Sequence, residues 1–306
     1  MKVATNQYFN ELTRLLTDQH AEIATLQAKM AKGDNLLRAS EDPGASLKIL
    51  NLNSLVSKQE TQTATLNSLD NRLVAEEAAV TSMRDIMMRI QELTVMGAND
   101  TYSRENRQVM AAEIRGYQSQ LINLANSRHN DGGYLFAGTK NSAPPFVTDA
   151  QGEVTYRGDA TRIYFQGLGN QQLEINTSGY ELFSGGSATK DRSLDATFAF
   201  GEIDKLVVAL ESGNQADISA HIATSDKLRG NLELALTKIG VRRNIIESQA
   251  NIVQEQSITL QGLLSEQKDL DYTEAITKLS ARMLALEAAQ SSMAKISQLN
   301  LFNYLR

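Results

Sequence analysis

Apolar residues recur along this chain at alternating steps of four and three. The first series is Leu12, Leu16, Gln19, Ile23, Leu26, Met30, Gly33 and Leu37. Such spacing lays one seam along a helix, here with Gln19 and Gly33 as soft positions. A second seam runs Leu55, Gln59, Gln62, Leu66, Leu69, Leu73, Glu76, Val80, Met83, Met87, Ile90, and a shorter third runs Met110, Ile114, Tyr117, Leu121, Leu124. The fourth comprises Leu228, Leu232, Ala235, Ile239, Arg242, Ile246, Gln249, Val253, Gln256, Leu260, Leu263, Gln267 and Leu270; the fifth comprises Ile276, Leu279, Met283, Leu286, Gln290 and Met293. The pattern predicts one helix over 46–96 and another over 216–270, about 75 and 80 Å long at 1.5 Å per residue. Matched lengths on either side of an intervening segment predict antiparallel partners, with the third helix beside them.

Between the third and fourth seams the chain changes material. Ten of the 17 aromatics lie between Tyr134 and Phe200, together with eight glycines from Gly138 to Gly186 and the pair Pro144-Pro145. Alternating runs at 153–156, 162–166 and 172–176 predict strands, separated by Arg157-Gly158-Asp159 and Gly167-Leu168-Gly169-Asn170 turns. The expected fold is therefore mainly α: a long antiparallel helical rod or coiled coil built from both chain ends, with a small β domain at the far end. The first seam stops at Ser40-Glu41-Asp42-Pro43-Gly44, because proline disfavours helix for its predecessor. Asp269-Leu270-Asp271-Tyr272 sits at the matching place on the return. These breaks divide the chain into terminal arms (1–42 and 271–306), a helical rod (43–130 and 200–270) and a β-rich insertion (131–199).

Charge sharpens the reading of the arms. Residues 1–40 and 271–306 each carry a formal +1, leaving −8 of the total −6 on the midsection. A nearly neutral helix pair striped with apolar groups is marginal in water, since most helical stability comes from packing. The arms are therefore expected to meet other copies. The interface is expected on Leu12, Leu16, Ile23, Leu26, Met30, Leu37, Leu279, Met283, Leu286, Met293, Leu299, Leu301 and Phe302. The overall acidity argues against nucleic acid as a partner. The N-terminus turns polar within four residues, unlike a secretory signal, and no run of about 18 apolar residues predicts membrane insertion.

Candidate chemistry is sparse. The chain has no cysteine, which excludes disulfides, thiolate metal sites and cysteine nucleophiles. His20, His129 and His221 lie on separate segments and are expected to be solvated surface residues. Glu76 and Glu77 point about 100° apart on a helix and form no acid–base dyad; Glu76 reads as a softened seam position that fixes register. Asp131, Gly132, Gly133 and Gly138 lack the P-loop pattern and read as a helix-to-insertion junction, with glycine at positive φ. Met83, Met87 and Met88 have helical spacing and read as core. No metal, cofactor or catalytic residue is expected.

Several stretches resemble the flagellin family. Leu26-Gln27-Ala28-Lys29-Met30-Ala31-Lys32-Gly33 followed by Ser40-Glu41-Asp42-Pro43-Gly44-Ala45 looks like its N-terminal signature, with Glu41 where the family commonly has Asp. Val80–Met96 with Gly97-Ala98-Asn99-Asp100, and Leu263-Leu264-Ser265-Glu266 with Asp269-Leu270-Asp271, continue the match, which covers roughly 1–140 and 200–306. Three features favour the hook–filament junction branch of the family. They are the run Leu121–Asn126 leading to Asp131–Lys140 and Pro145-Phe146, the pattern Gly152-x-Val154-x-Tyr156-x-Gly158-Asp159, and the ending Leu299–Leu305. The resemblance implies a structural, non-enzymatic adapter of the bacterial flagellum. It would be exported unfolded through the flagellar type III apparatus and assembled as a ring between hook-associated protein 1 and flagellin, with its arms paired as a coiled coil. A cytosolic export chaperone would bind the C-terminal helices. The alternatives are a flagellin-type filament subunit, a coiled-coil signalling rod, for which the β insertion and the missing membrane helix are wrong, and an enzyme in the β module, which lacks convergent groups.

Overall fold

A computed structural model describes residues 2–167, 172–184 and 197–304. In chain order the elements are α1 (Lys2–Lys32), α2 (Pro43–Gly97), α3 (Arg104–Ala125), β1 (Phe146–Thr148), β2 (Val154–Tyr156), β3 (Tyr164–Gln166), β4 (Gln172–Glu174), α4 (Gly179–Phe183), α5 (Phe198–Ser212), α6 (Gln215–Lys268) and α7 (Tyr272–Tyr304). Contacts group these into two compact units: residues 1–61 with 254–306, and residues 62–253. The fold is mainly α with a small antiparallel β region, as the periodicity predicts.

The unit formed by 62–253 holds the large core. The second seam is buried from Leu66 onward, through Leu73, Val80, Met83, Met87 and Ile90. The fourth is buried from Leu228 through Leu232, Ala235, Ile239 and Ile246 to Val253. Within this unit α2 and α6 run antiparallel: Arg243 on α6 reaches Asp70 at 3.0 Å and Glu77 at 2.7 Å, while the earlier Arg229 donates to the later Gln91 at 3.1 Å. Helix α3 starts where Ser103 accepts a hydrogen bond from the Asn106 backbone N–H at 3.3 Å. Its buried Arg107 turns back to cap α2, donating to the carbonyls of Gly97 at 2.8 Å and Asn99 at 3.1 Å. Helix α5 stops at Gly213, whose φ of +77° lets its N–H reach the carbonyls of Ala209 and Leu210.

The β region is two separate hairpins. In one, Phe146 pairs with Tyr156 and Thr148 with Val154; in the other, Tyr164 pairs with Glu174 and Gln166 with Gln172. The strand β1 was not anticipated, because Pro144-Pro145 masks its start. These strands do not form a separate core. Phe146, Tyr156, Phe183 and Phe200 stack with ring centroids 4.8 to 5.4 Å apart, and they belong to the same hydrophobic cluster as the helical seams. Contact grouping accordingly places the segment with the helices of 62–253. The concentration of aromatics in this segment is thus the cement between short strands and helices; three-residue strands could not bury enough surface alone.

The two junction patterns clasp one another. Gly138 has φ +68°, and a Cβ there would lie 2.4 Å from the Asp159 carbonyl oxygen. The Asp159 carboxylate accepts from Thr139 N–H, Thr139 Oγ1 and Thr161 N–H, and its own N–H donates to the Ala137 carbonyl at 3.0 Å. Hydrogen bonding to this charged form holds the Asp159 pKa below its usual value against the opposing effect of partial burial. Gly132 also has positive φ, +87°, whereas Gly133 does not; the Gly133 N–H instead donates to Asp131 Oδ1 at 2.9 Å.

Candidate functional site

The arms form the unit of 1–61 and 254–306. Here α1 packs against α7. The first seam faces inward: Ile23 is buried, and Leu12, Leu16, Gln19, Leu26 and Met30 are half-buried. Leu37 is half-buried in the connector. On α7 the inner face is Ala275, Leu279, Leu286, Ala289 and Met293, so Leu279, Leu286 and Met293 fall where the seam places them. Ile276 and Met283 do not; they are about half exposed, at 50% and 53%. Two alanines take the inner positions because a small residue lets the helices approach, and hydrophobic spacing alone could not reveal that choice. Leu299, Leu301 and Phe302 belong to α7, and their side chains lie outside the described residues. A similar offset of one residue, about 100°, occurs on α6 beyond Val253, where Ser257 and Leu264 turn inward instead of Gln256 and Leu263.

The two sequence breaks meet at an elbow. Asn35 N–H donates to the Lys268 carbonyl at 2.7 Å and Leu270 N–H to the Gly33 carbonyl at 2.9 Å, with Asp34 and Asp269 bridging as antiparallel chain. Gly33 has φ +77°, which ends α1 and turns the chain. The Tyr272 hydroxyl donates to the Met30 carbonyl at 3.0 Å. Lys29 pairs with Glu41 at 2.8 Å and Lys32 with Asp34 at 2.8 Å, contacts that hold both carboxyls below their ordinary pKa. Further along the arms, Arg282 pairs with Glu22 at 3.0 Å. Below the elbow, Gln59 donates to Gln256 at 3.1 Å.

What this unit leaves uncovered is its chief property. Among the described residues, its buried hydrophobics are Ile23, Val56 and Ala275, while the large core cluster lies wholly within 62–253. Leu47 is 63% exposed, Leu50 62%, Ile258 59% and Leu284 69%. The α1–α7 pair also leaves a groove along each flank. One, of about 700 Å³, is lined by Ile23, Ala24, Met283, Leu284 and Leu286 among others. The other, of about 530 Å³, is lined by Ala21, Leu26, Ala281 and four charged residues, Glu22, Lys29, Lys278 and Arg282. These exposed side chains and the two grooves make the arm unit the candidate interaction surface. No group of three or more His, Cys, Asp or Glu with metal-ligand geometry exists among the described residues. His129 and His221 are largely covered rather than solvated, facing Asp131 at 3.3 Å and Glu202 at 3.4 Å. No helix of the described residues is long and apolar enough to cross a membrane.

The chain is mainly helical, its two ends pair through matched breaks, and the residues between those ends in sequence form a compact helix-and-hairpin unit. Residues 3–141 match the bacterial flagellin N-terminal helical region. Over its whole length the chain is similar to flagellar hook-associated protein 3. It is 26% identical to that of Escherichia coli K12 over 99% of each chain, and 25% identical to that of Salmonella typhimurium LT2 over the full length of both. A flagellar hook-associated protein from Vibrio parahaemolyticus shares the fold, with a TM-score of 0.65 and 22% identity over 75% of this chain and 100% of its own.

Proposed function

We propose that the chain is a structural adapter of the bacterial flagellum, joining hook to filament and assembling as a ring through its terminal helices. The observation that carries this reading is the thin interior of the arm unit. Residues such as Leu47, Leu50, Ile258 and Leu284 stand exposed there, in a chain similar end to end to hook-associated protein 3. The assembly interface comprises the exposed faces and both flank grooves of α1 and α7, with Met283, Leu299, Leu301 and Phe302 among the proposed contacting residues. Hook-associated protein 1 lies on one side of the ring and flagellin on the other. An export chaperone covers the C-terminal helices before assembly, and the finished protein resides outside the cell in the flagellum. The role is mechanical, without catalysis.

Removal of residues 1–40 tests the proposal. The truncated protein should remain soluble, keep the circular-dichroism melt of the 62–253 unit, and fail to enter flagella when supplied to cells lacking the intact chain. Normal incorporation would overturn the proposal. Purified full-length protein that grows long filaments unaided would favour a filament subunit instead.

A further inference from the structure

Glu76 sits where α2, α6 and the segment following β4 converge, and it is fully buried. Its Oε1 accepts from Arg72 Nε at 3.3 Å. Its Oε2 has no hydrogen bond of good geometry among the described residues, although the Thr177 hydroxyl faces the carboxyl closely enough to favour its charged form. Arg72 is thus its ion-pair partner, while the second nearby cation is engaged elsewhere. Arg242 on α6 donates to Glu174 at 2.7 Å and to Thr177 Oγ1 at 3.0 Å. Arg72 donates a second time to the Leu135 carbonyl at 3.3 Å and feels the charge of Asp131. Every element around Glu76 thus contributes a named group: Arg72 from α2, Arg242 from α6, Glu174 and Thr177 from β4 and its extension, and Asp131 with the Leu135 carbonyl from the junction.

A fully buried carboxylate whose ion pair with Arg72 satisfies one oxygen and leaves Oε2 unpaired weakens, when charged, the packing that encloses it. The segment most affected is 172–178, which is held to the helices by the Arg242 contacts and lies over Glu76. We propose that Glu76 is a proton-operated latch: while its carboxyl is neutral the 172–178 segment stays docked on α2 and α6, and ionisation loosens that docking. Burial is the main cause of a rise in its pKa from the ordinary 4.5 to about 7, with Arg72 the leading opposing influence. The sign follows from linkage. The docked form binds the proton more tightly than the open form, so docking is strongest below pH 4.5 and weakens as pH rises toward 7. The latch is therefore closed in mild acid and loosest at neutral and alkaline pH.

Hydrogen exchange on the full-length chain tests this, with intrinsic exchange rates corrected at each pH. From pH 5.5 to 8 the opening of amides in 172–178 should rise about 30-fold, the factor set by the two pKa values. Glu76→Gln, which keeps shape and removes the charge, should flatten that rise to within about threefold. A wild-type profile without pH dependence, or a Glu76→Gln profile matching the wild-type slope, would overturn the latch. Should Glu76→Gln not fold, carbon-13 titration of the wild-type Glu76 carboxyl decides the matter: a midpoint near 7 supports the latch, and one below 5 refutes it.

Discussion

Gly132 and Gly138 share a left-handed backbone but not an environment. Around Gly132 a Cβ would meet nothing within 4 Å, whereas at Gly138 it would collide with Asp159 backbone and carboxylate. Gly132→Ala should therefore cost about 1 kcal/mol, the conformational penalty alone. Gly138→Ala should cost about 3 kcal/mol or more, because it also opens the clasp between the two junction patterns. Urea unfolding of the 62–253 unit measures both. The sequence allowed these glycines to be read as a junction, but not ranked, since the ranking depends on Asp159, which arrives from another turn. The same limit applies to Glu76 and Arg242. Heptad spacing places both on inward seams, and both are buried; their partners Thr177 and Glu174 belong to a hairpin whose docking no periodicity encodes. His129 and His221 were misjudged for that reason as well, because packing by neighbouring elements covers them.

At the level of elements, periodicity served best where burial is complete. Over 66–90 and 228–253 the predicted seams and the buried faces coincide. They drift on α7 and at the end of α6, where burial is partial and an exposed apolar stripe competes with an inner stripe containing alanine. Leu286 and Met283 separate the two stripes experimentally. Leu286→Ala should lower the stability of the α1–α7 pair by about 1 kcal/mol, for the loss of a half-buried side chain. Met283→Ala should change monomer stability by less than about 0.5 kcal/mol while reducing incorporation into flagella. Helicity of the free monomer on warming reads the first effect, and the amount of protein recovered with purified flagella reads the second. At the elbow, Tyr272→Phe removes the hydrogen bond to the Met30 carbonyl and should cost about 1 kcal/mol, seen as faster amide exchange at Gly33 to Asn35.

For the molecule as a whole, unequal burial predicts unequal stability. Amides of 2–32 and 272–295 should exchange quickly in the free monomer, and those of 66–97 and 228–253 slowly, because local opening follows the density of buried contacts. Uniform protection along the chain would contradict the assignment of the arms as unfinished surfaces. The distinction between helical ends and an aromatic middle was plain from the sequence. That the middle shares its core with the helices was not, since three-residue strands leave almost no pattern and the aromatic cluster is assembled from four separate segments. Absence of cysteine suits the proposed passage of an unfolded chain, which has no bridge to close prematurely.

The elbow carries a consequence for timing. Its paired segments, at Asn35 and Lys268, lie more than 230 residues apart in the chain, so it forms only when distant parts of the sequence meet. Closing a loop of about 230 residues is entropically dear; once the 62–253 unit has folded, only about 40 flexible residues remain to be closed, a saving of about 1.5 kcal/mol. Order of folding is thereby written into connectivity. The core is expected to condense first and the elbow to close last, so that the exposed apolar faces of the arms come together in a subunit that is otherwise complete.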